Sequence, residues 1–193
     1  MASKLIGFGT EYVVGMGGNL PSEAGSPAAT LGAALRELSA VGMVIRAVSR
    51  FYATPCFPAG AGPDYVNAAV RVRAPGGPEE TLAALHGVEA EFGRVRKARW
   101  AGRTLDLDLF AAGALVVPDA ATQTAWRDLP PEEQARRAPE RLILPHPRLQ
   151  DRGFALIPMR DVAPDWVHPL LGQSVTALCA ALPEQEIAAI RPL

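Results

Sequence analysis

The spacing of hydrophobic residues along the chain predicts two kinds of secondary structure. Alternating apolar and polar residues and short apolar runs are typical of strands, and they predict strands at residues 12–16, 44–52, 65–73, 104–110 and 141–144. Apolar residues three and four apart are typical of amphipathic helices, and this spacing predicts helices at residues 28–41, 78–92, 154–160 and 173–182. Strands and helices therefore interleave along the chain.

Two stretches fit neither pattern. Residues 54–63 are rich in proline and glycine, which predicts a long loop, and long loops in compact domains are often functional. Residues 118–139 are rich in Ala, Gln, Arg and Pro and are predicted to form a surface insertion with some helix. Because no long parallel strand–helix–strand series is present, we predict an α+β fold. It is a ferredoxin-like α/β sandwich, with helices packed on a mostly antiparallel sheet, in a single domain of residues 1–193.

The composition narrows the class of protein. The chain has 193 residues, which is long enough for a buried core. Its formal net charge of −1 gives no reason to expect a nucleic acid or an anionic membrane as partner. No apolar run approaches the roughly 20 residues of a membrane-spanning helix, and the N-terminus lacks a secretory signal pattern. Two cysteines, Cys56 and Cys179, are too few for a disulfide scaffold. We expect a cytoplasmic protein with reduced thiols that acts as a monomer.

The strand around Asp106 and Asp108 is the candidate for metal chemistry. Residues two apart on a strand face the same side, so these carboxylates project together while Leu105, Leu107 and Leu109 face the core. Neighbouring carboxylates repel each other unless a cation lies between them, and Mg²⁺ prefers such oxygen ligands. The alternative is the solvent-facing side of an edge strand that carries two acids without a function.

A basic loop precedes this strand. Residues 93–103 hold five cationic side chains, four of them between Gly93 and Gly102 and the fifth at Arg103. Guanidinium groups match phosphate oxygens in a bidentate way. A basic loop that ends on a carboxylate-bearing strand is the arrangement that phosphoryl transfer requires. The alternatives are a solvated loop and a nucleic-acid-binding patch, although a nucleic-acid-binding protein would gain nothing from two acids at the end of the loop.

Seven segments of the chain carry a family resemblance. The most specific is Arg-Trp-Ala-Gly-Arg-Thr-Leu-Asp-Leu-Asp at residues 99–108, and the others lie at residues 17–20, 49–55, 63–70, 89–96, 144–147 and 152–154. In sequence and in order they resemble the 6-hydroxymethyl-7,8-dihydropterin pyrophosphokinases of folate biosynthesis. The resemblance covers about residues 12 to 170 and implies transfer of pyrophosphate from Mg-ATP to the pterin hydroxymethyl group, with release of AMP.

The resemblance implies roles for the metal-binding strand and the basic loop. Asp106 and Asp108 are expected to bind two Mg²⁺ ions on the ATP phosphates, and Arg94 and Arg103 to act on the transferring group. Three more residues of the loop are expected to help close it over the nucleotide: Arg96, Lys97 and Trp100.

The resemblance also assigns residues to the two substrates. Tyr65 and Phe154 would hold the pterin ring between them, and Asn67 would bind the donors and acceptors at its edge. Backbone groups near Thr54, Pro55 and Phe57 would assist. The expected nucleotide contacts are Glu89, Arg141, His146 and Arg152. Without the family context, Tyr65 and Phe154 would more often be core residues and His146 a turn residue. His86 stands where many members carry Gln, and the family gives residues 118–139 no role.

The implied mechanism is direct in-line attack of the pterin hydroxymethyl oxygen on the β-phosphorus of ATP. Asp108 is the candidate for assisting removal of the hydroxyl proton. Two alternatives stay open. A catalytically silent pterin- or nucleotide-binding protein on the same fold would be expected to lack Asp106, Asp108 or Arg103, and all three are present. A nucleic-acid-binding module would use the basic loop and stack bases on Trp100.

Overall fold

Six strands form one antiparallel sheet in the computed structural model, which describes residues 9–56, 62–93 and 102–193. In chain order the strands are β1 (Glu11–Gly18), β2 (Val44–Val48), β3 (Tyr52–Thr54), β4 (Tyr65–Arg73), β5 (Asp106–Ala112) and β6 (Arg191–Pro192). The sheet runs in the order β5-β1-β4-β3-β6, and β2 pairs with β4 outside this path. β4 has an alternating sequence and pairs with β1 along its length, with β2 at one end and with β3 at the other.

The helices begin where the sequence supplies capping residues. Ser26 precedes α1 and its hydroxyl accepts a hydrogen bond from the backbone N–H of Ala29, while Asp119 accepts one from Thr122 at the start of α3. A 3₁₀ turn at Leu149–Asp151 leads into α5. The helices are α1 (Pro27–Ala40), α2 (Pro78–Glu91), α3 (Ala120–Arg127), α4 (Pro131–Arg136), α5 (Gly153–Val162), α6 (Val175–Ala180) and α7 (Glu184–Ala189).

Hydrophobic layers cover both faces of the sheet. On one face, α1 and α2 pack against β1, β4 and β5 around residues such as Val14, Leu31 and Leu107. On the other face, α5 packs against β1 to β4 and against α6, around residues such as Phe110 and Leu156. The predicted α+β sandwich with a mostly antiparallel sheet is confirmed. None of the described helices has the length and apolar character needed to cross a membrane.

Two of the predicted strands differ from the structure. The single strand predicted at residues 44–52 is divided into β2 and β3, because Ser49 hydrogen-bonds to Ala69 and the Arg50 backbone donates to Asp161 at the junction. The strand predicted at residues 141–144 reduces to one bridge between Val117 and Leu144. Each bridging residue is followed by a proline, which has no N–H to continue a ladder.

Residues 118–139, the predicted surface insertion, contain α3 and α4. The segment is not wholly at the surface, because Gln123 is fully buried and its amide nitrogen donates to the Pro145 carbonyl at 3.2 Å. Its two helices therefore pack beside residues 144–148.

Candidate active site

A cavity of about 770 Å³ opens on the α5 face of the sheet, beyond the N-terminus of α5. Asp106 and Asp108 of β5 line it, while Leu105, Leu107 and Leu109 on the opposite side of the strand are buried. The predicted alternation along this strand is confirmed. The two carboxylates are partly exposed and face the same space.

A glycine on β1 connects the carboxylates to the other half of the cavity. Gly17 pairs with Asp106 on β5 and with Asn67 on β4, so the three residues form one row across the sheet. A Cβ atom at Gly17 would lie 2.5 Å from the Asn67 Oδ1 atom, so a larger residue would displace the amide. Two strand spacings separate the carboxylate from the amide by about 10 Å, and the missing side chain leaves the floor between them open.

The half of the cavity around Asn67 is polar at its base and aromatic at its walls. The Asn67 side chain is buried and its Nδ2 donates to the Thr54 hydroxyl at 2.6 Å. Tyr65 and Pro55 line the cavity beside them, and burial raises the pKa of the Tyr65 phenol so that it stays neutral. Phe154, 37% exposed, stands at the start of α5. The site therefore offers an amide, a hydroxyl and aromatic rings to one ligand.

Arg103 is held at the cavity by its backbone. Its N–H donates to Asn19 Oδ1 at 2.8 Å, and its carbonyl accepts from the backbone N–H groups of Asn19 and Leu20. The guanidinium pairs with Asp106. Burial disfavours its charge, but Asp106 and Asp108 outweigh that effect and raise the pKa of Arg103. A cation thus already lies against the carboxylates.

Arg152 and His146 approach the carboxylates from the segment before α5. Burial lowers the pKa of Arg152, against the opposing charges of Asp108 and Asp106. Burial, together with Arg152 and Arg148, lowers the pKa of His146 to about 3, so the ring is neutral at pH 7. His146 Nδ1 accepts a hydrogen bond from the Arg148 backbone at 3.2 Å, which assigns the ring proton to Nε2. A neutral N–H donor therefore stands near two arginines.

The structure brings most of the predicted site residues together. Besides those above, Arg141 also lines the cavity. Glu89 does not: it is 1% exposed, and its carboxylate accepts a hydrogen bond from the Leu107 backbone at 2.7 Å, which ties α2 to β5. Five predicted residues lie outside the described part of the chain: Phe57, Arg94, Arg96, Lys97 and Trp100.

The cavity also has lining residues that the sequence did not indicate. Leu82 and His86 reach it from α2. Further residues come from the segment predicted as an insertion and from the chain after it: Trp126, Gln134, Arg137 and Arg148. No local pattern marks these residues, because their neighbours in space are distant in sequence. On α2, the only indication from the sequence was that His86 stands where many members of the family carry Gln.

The donor set suits a metal that also binds phosphate. Within the described ranges, no cluster of three or more His, Cys, Asp or Glu side chains is close enough to form a closed metal site. Asp106 and Asp108 can supply two carboxylates, and Mg²⁺ commonly takes one or two carboxylates and completes its shell with water and substrate phosphates. The pairing of Arg103 with Asp106 shows that this position accepts a cation. The residues present therefore fit Mg²⁺ bound with a nucleotide.

One cavity on an antiparallel sheet combines paired carboxylates, arginines and a pocket with a buried amide and aromatic side chains. These features are typical of a metal-dependent phosphoryl-transfer enzyme. Comparison with known proteins gives the family. The sequence model of 7,8-dihydro-6-hydroxymethylpterin-pyrophosphokinase matches residues 13–164. The chain belongs to this family, and the predicted pyrophosphokinase class is thereby confirmed.

Individual relatives agree. A 2-amino-4-hydroxy-6-hydroxymethyldihydropteridine pyrophosphokinase of Synechocystis is 38% identical over 86% of this chain and 73% of its own length. Proteins of the same name from Methylorubrum extorquens and Haemophilus influenzae are 32% and 29% identical, over 90% and 95% of this chain and 94% and 99% of their own lengths.

Solved structures share the fold. The wild-type HPPK-DHPS of Plasmodium falciparum superposes with a TM-score of 0.61 at 12% identity, over 89% of this chain. Another HPPK-DHPS structure, in complex with substrates, gives 0.61 at 9% identity over 90% of this chain. This chain spans 44% and 45% of those longer chains. At such low identity the likeness supports the fold alone.

Proposed function

We propose that the chain transfers the pyrophosphoryl group of ATP to 6-hydroxymethyl-7,8-dihydropterin in folate synthesis. The hydroxymethyl oxygen bonds to the β-phosphorus, the bond from that phosphorus to the α–β bridging oxygen breaks, and AMP leaves with the bridging oxygen. The hydroxyl proton is released. The observation that carries the proposal is the row of Asp106, Gly17 and Asn67 in one cavity. The amide that would bind the ring and the carboxylate that would bind a metal are two strand spacings apart, about 10 Å, which is close to the span of a bicyclic ring with one substituent.

The pterin would lie in the half of the cavity around Asn67. The Asn67 amide meets the donors and acceptors at the edge of the ring, Tyr65 and Phe154 contact its faces, and Thr54 fixes the amide. Pro55 lines the same half of the cavity, and Phe57 is the further pterin contact that the family resemblance implies. Because the amide is buried and its Nδ2 already donates to Thr54, a ligand without matching groups would leave the remaining amide groups without a partner from the ligand, at about 1–3 kcal/mol. The pocket therefore selects a ring with both donors and acceptors.

The triphosphate would lie along β5. Asp106 and Asp108 would hold two Mg²⁺ ions, and bound Mg²⁺ supplies charge neutralisation on the phosphates. Arg141, Arg152 and the neutral His146 would donate hydrogen bonds to phosphate oxygens. Glu89 would act by positioning, since it holds the Leu107 backbone between the two carboxylates.

Catalysis would come from orientation and charge. Arg103 would leave Asp106 for the transferring group once the substrates bind, and Arg94 would join it as the basic loop closes with Arg96, Lys97 and Trp100. Asp108 would assist removal of the hydroxyl proton. We further propose that the protein acts as a cytoplasmic monomer. The silent-protein alternative is disfavoured, because Asp106, Asp108 and Arg103 all face the cavity.

Product analysis tests the proposal. Incubation with Mg-ATP and the pterin should give AMP and pterin diphosphate in equal amounts, seen by chromatography and phosphorus NMR. Formation of ADP and a pterin monophosphate would contradict attack at the β-phosphorus. Oligonucleotide binding that is strong, salt-sensitive and independent of Mg²⁺ would support the nucleic-acid-binding alternative.

A further inference from the structure

The segment of α3 and α4 supplies one wall of the cavity. Trp126, Gln134 and Arg137 of this segment line it, and we call these three residues the α3–α4 wall. The wall packs on residues 144–148, beside His146, whereas Thr54, Tyr65 and Asn67 line the cavity from β3 and β4. The proposed function assigns the three residues of the α3–α4 wall no role.

The wall is firmly attached. Val117 and Leu144 exchange two backbone hydrogen bonds at 2.9 and 3.0 Å, and the buried Gln123 donates to Pro145. The Arg148 guanidinium donates to the carbonyls of Gln134 and Arg137. These bonds run to the residues on either side of His146, so the wall is fixed relative to the nucleotide-side residues of the cavity.

Arg137 and Trp126 form a flat, positively charged surface on this wall. The Arg137 guanidinium lies 5.2 Å from the centroid of the Trp126 ring. It has one long ion-pair contact, 3.9 Å to Glu133, and 55% of its side chain is exposed. Among the described residues, its side chain has no hydrogen-bond acceptor within normal distance. The indole thus lies against the guanidinium, and the exposed part of the Arg137 side chain is available to a ligand.

The position of the α3–α4 wall in the cavity determines which part of the substrates it can contact. The pterin occupies the Asn67 side, and the reacting phosphates must lie at Asp106 and Asp108. The rest of the lining includes Leu82 and His86 of α2 and the α3–α4 wall. In the proposed function this part of the cavity receives the nucleoside end of ATP.

We propose that Arg137, supported by Trp126, stacks on the purine ring of the nucleotide. The inference rests on the proposed function and extends it to a segment to which the family resemblance gives no role. A guanidinium stacks well on a flat aromatic ring, and the indole beneath it fixes its orientation before binding. The α3–α4 wall is therefore a nucleotide-binding element, and Arg137 contributes to affinity for the base rather than for the phosphates.

Calorimetry on the full chain with three probes tests this: Mg-ATP, AMP and inorganic tripolyphosphate. Arg137→Ala should weaken ATP and AMP binding by similar factors, between about twofold and 30-fold, and leave tripolyphosphate affinity unchanged. Trp126→Leu should have an effect in the same direction, since it removes the support for Arg137. Arg136→Ala is the matched control, because it removes the same charge from the preceding residue, the last of α4, which does not line the cavity.

The outcomes separate this inference from the proposed function. If Arg137→Ala bound ATP and AMP as tightly as the wild type does, the stacking role would be overturned. A loss of affinity for ATP and tripolyphosphate, but not for AMP, would overturn it as well. An equal loss in Arg136→Ala would also overturn it, because a general charge effect would then suffice. Failure of the wild type to bind Mg-ATP at all would contradict the proposed function itself.

Discussion

At the scale of single residues, the site depends on a missing side chain as much as on those present. Gly17 stands between Asp106 and Asn67 in the same row, and the space above it is the path that joins the two halves of the cavity. Arg103 combines a fixed backbone with a side chain that can change partners. Its backbone is anchored by hydrogen bonds with Asn19 and Leu20, so the side chain can move without moving the strand.

We predict that Gly17→Ala weakens pterin binding far more than Mg-ATP binding. The new methyl group would lie 2.5 Å from Asn67 Oδ1 and push the amide out of place. Calorimetry with each ligand separately measures the effect. Gly87→Ala is the control, because nothing lies within 4 Å of its added methyl on the exposed side of α2. That variant should bind normally and gain about 0.5–1 kcal/mol in stability. Equal loss of both ligands in Gly17→Ala would show general disruption instead.

We predict that Arg103→Ala lowers kcat by about 10³-fold or more while ATP and pterin affinities change by less than about tenfold. The variant removes charge from the transferring group but keeps the backbone bonds to Asn19. Arg103→Lys should recover only part of the rate, because a point charge does not reproduce the planar fork. Single-turnover kinetics and equilibrium binding on the same variants decide this. A normal chemical step with collapsed ATP binding would make Arg103 a ground-state ligand.

At the scale of elements, Asn19 joins three separate pieces of the chain. It follows β1, its Nδ2 donates to the Pro63 carbonyl at 3.1 Å, and its Oδ1 accepts from Arg103 before β5. Pro63, which precedes β4, and Arg103, which precedes β5, are therefore held by one buried amide. Only the fold shows this bridge, because Pro63 and Arg103 are distant from Asn19 in the sequence.

Asn19→Ala should lower the free energy of unfolding by about 1–3 kcal/mol, because it leaves a buried donor and acceptor without partners. Urea denaturation measures this. Ser39→Ala, which removes an exposed hydroxyl bonded to Leu35 within α1, should stay within about 0.5 kcal/mol of the wild type. If the two variants had equal free energies of unfolding, the hydrogen bonds of Asn19 would contribute nothing measurable to stability.

The predicted elements agree with the structure where the pattern is long and regular. β4 was predicted with its observed ends because nine residues alternate, and α2 was predicted within one residue because its apolar spacing is uninterrupted. α7 and β6 were not predicted, since they are short and form only where the C-terminus packs on β3 and α5. The cavity wall at Trp126 and Arg137 was not predicted for the same reason: it follows from contacts with distant residues.

At the scale of the whole molecule, buried histidine links stability to pH. His168 is fully buried, and its Nδ1 accepts hydrogen bonds from the backbone N–H groups of Leu170 and Leu171. Burial, with the nearby charge of Arg127, lowers the pKa of His168 from 6.5 to about 4. Between these values the unfolded chain binds a proton that the folded protein does not, so stability falls as pH falls.

We predict that acidification from about pH 7 to pH 4 costs up to about 3 kcal/mol through this group. His168→Asn keeps an acceptor for the two backbone donors and cannot titrate, so its stability should vary less with pH over this range. Thermal or urea unfolding of both proteins at several pH values measures the difference in slope. Identical slopes would show that His168 titrates alike in the folded and unfolded states.

If Asp106 and Asp108 hold the Mg²⁺ through which this cavity transfers pyrophosphate, release of AMP depends on both carboxylates. The wild type should release AMP only when Mg-ATP and 6-hydroxymethyl-7,8-dihydropterin are both present. Asp106→Ala and Asp108→Ala should abolish that release at saturating Mg²⁺ while the fold survives, because the Asp106 ion pair is partly exposed and worth at most about 1 kcal/mol. Near-normal AMP release by either variant would contradict the account.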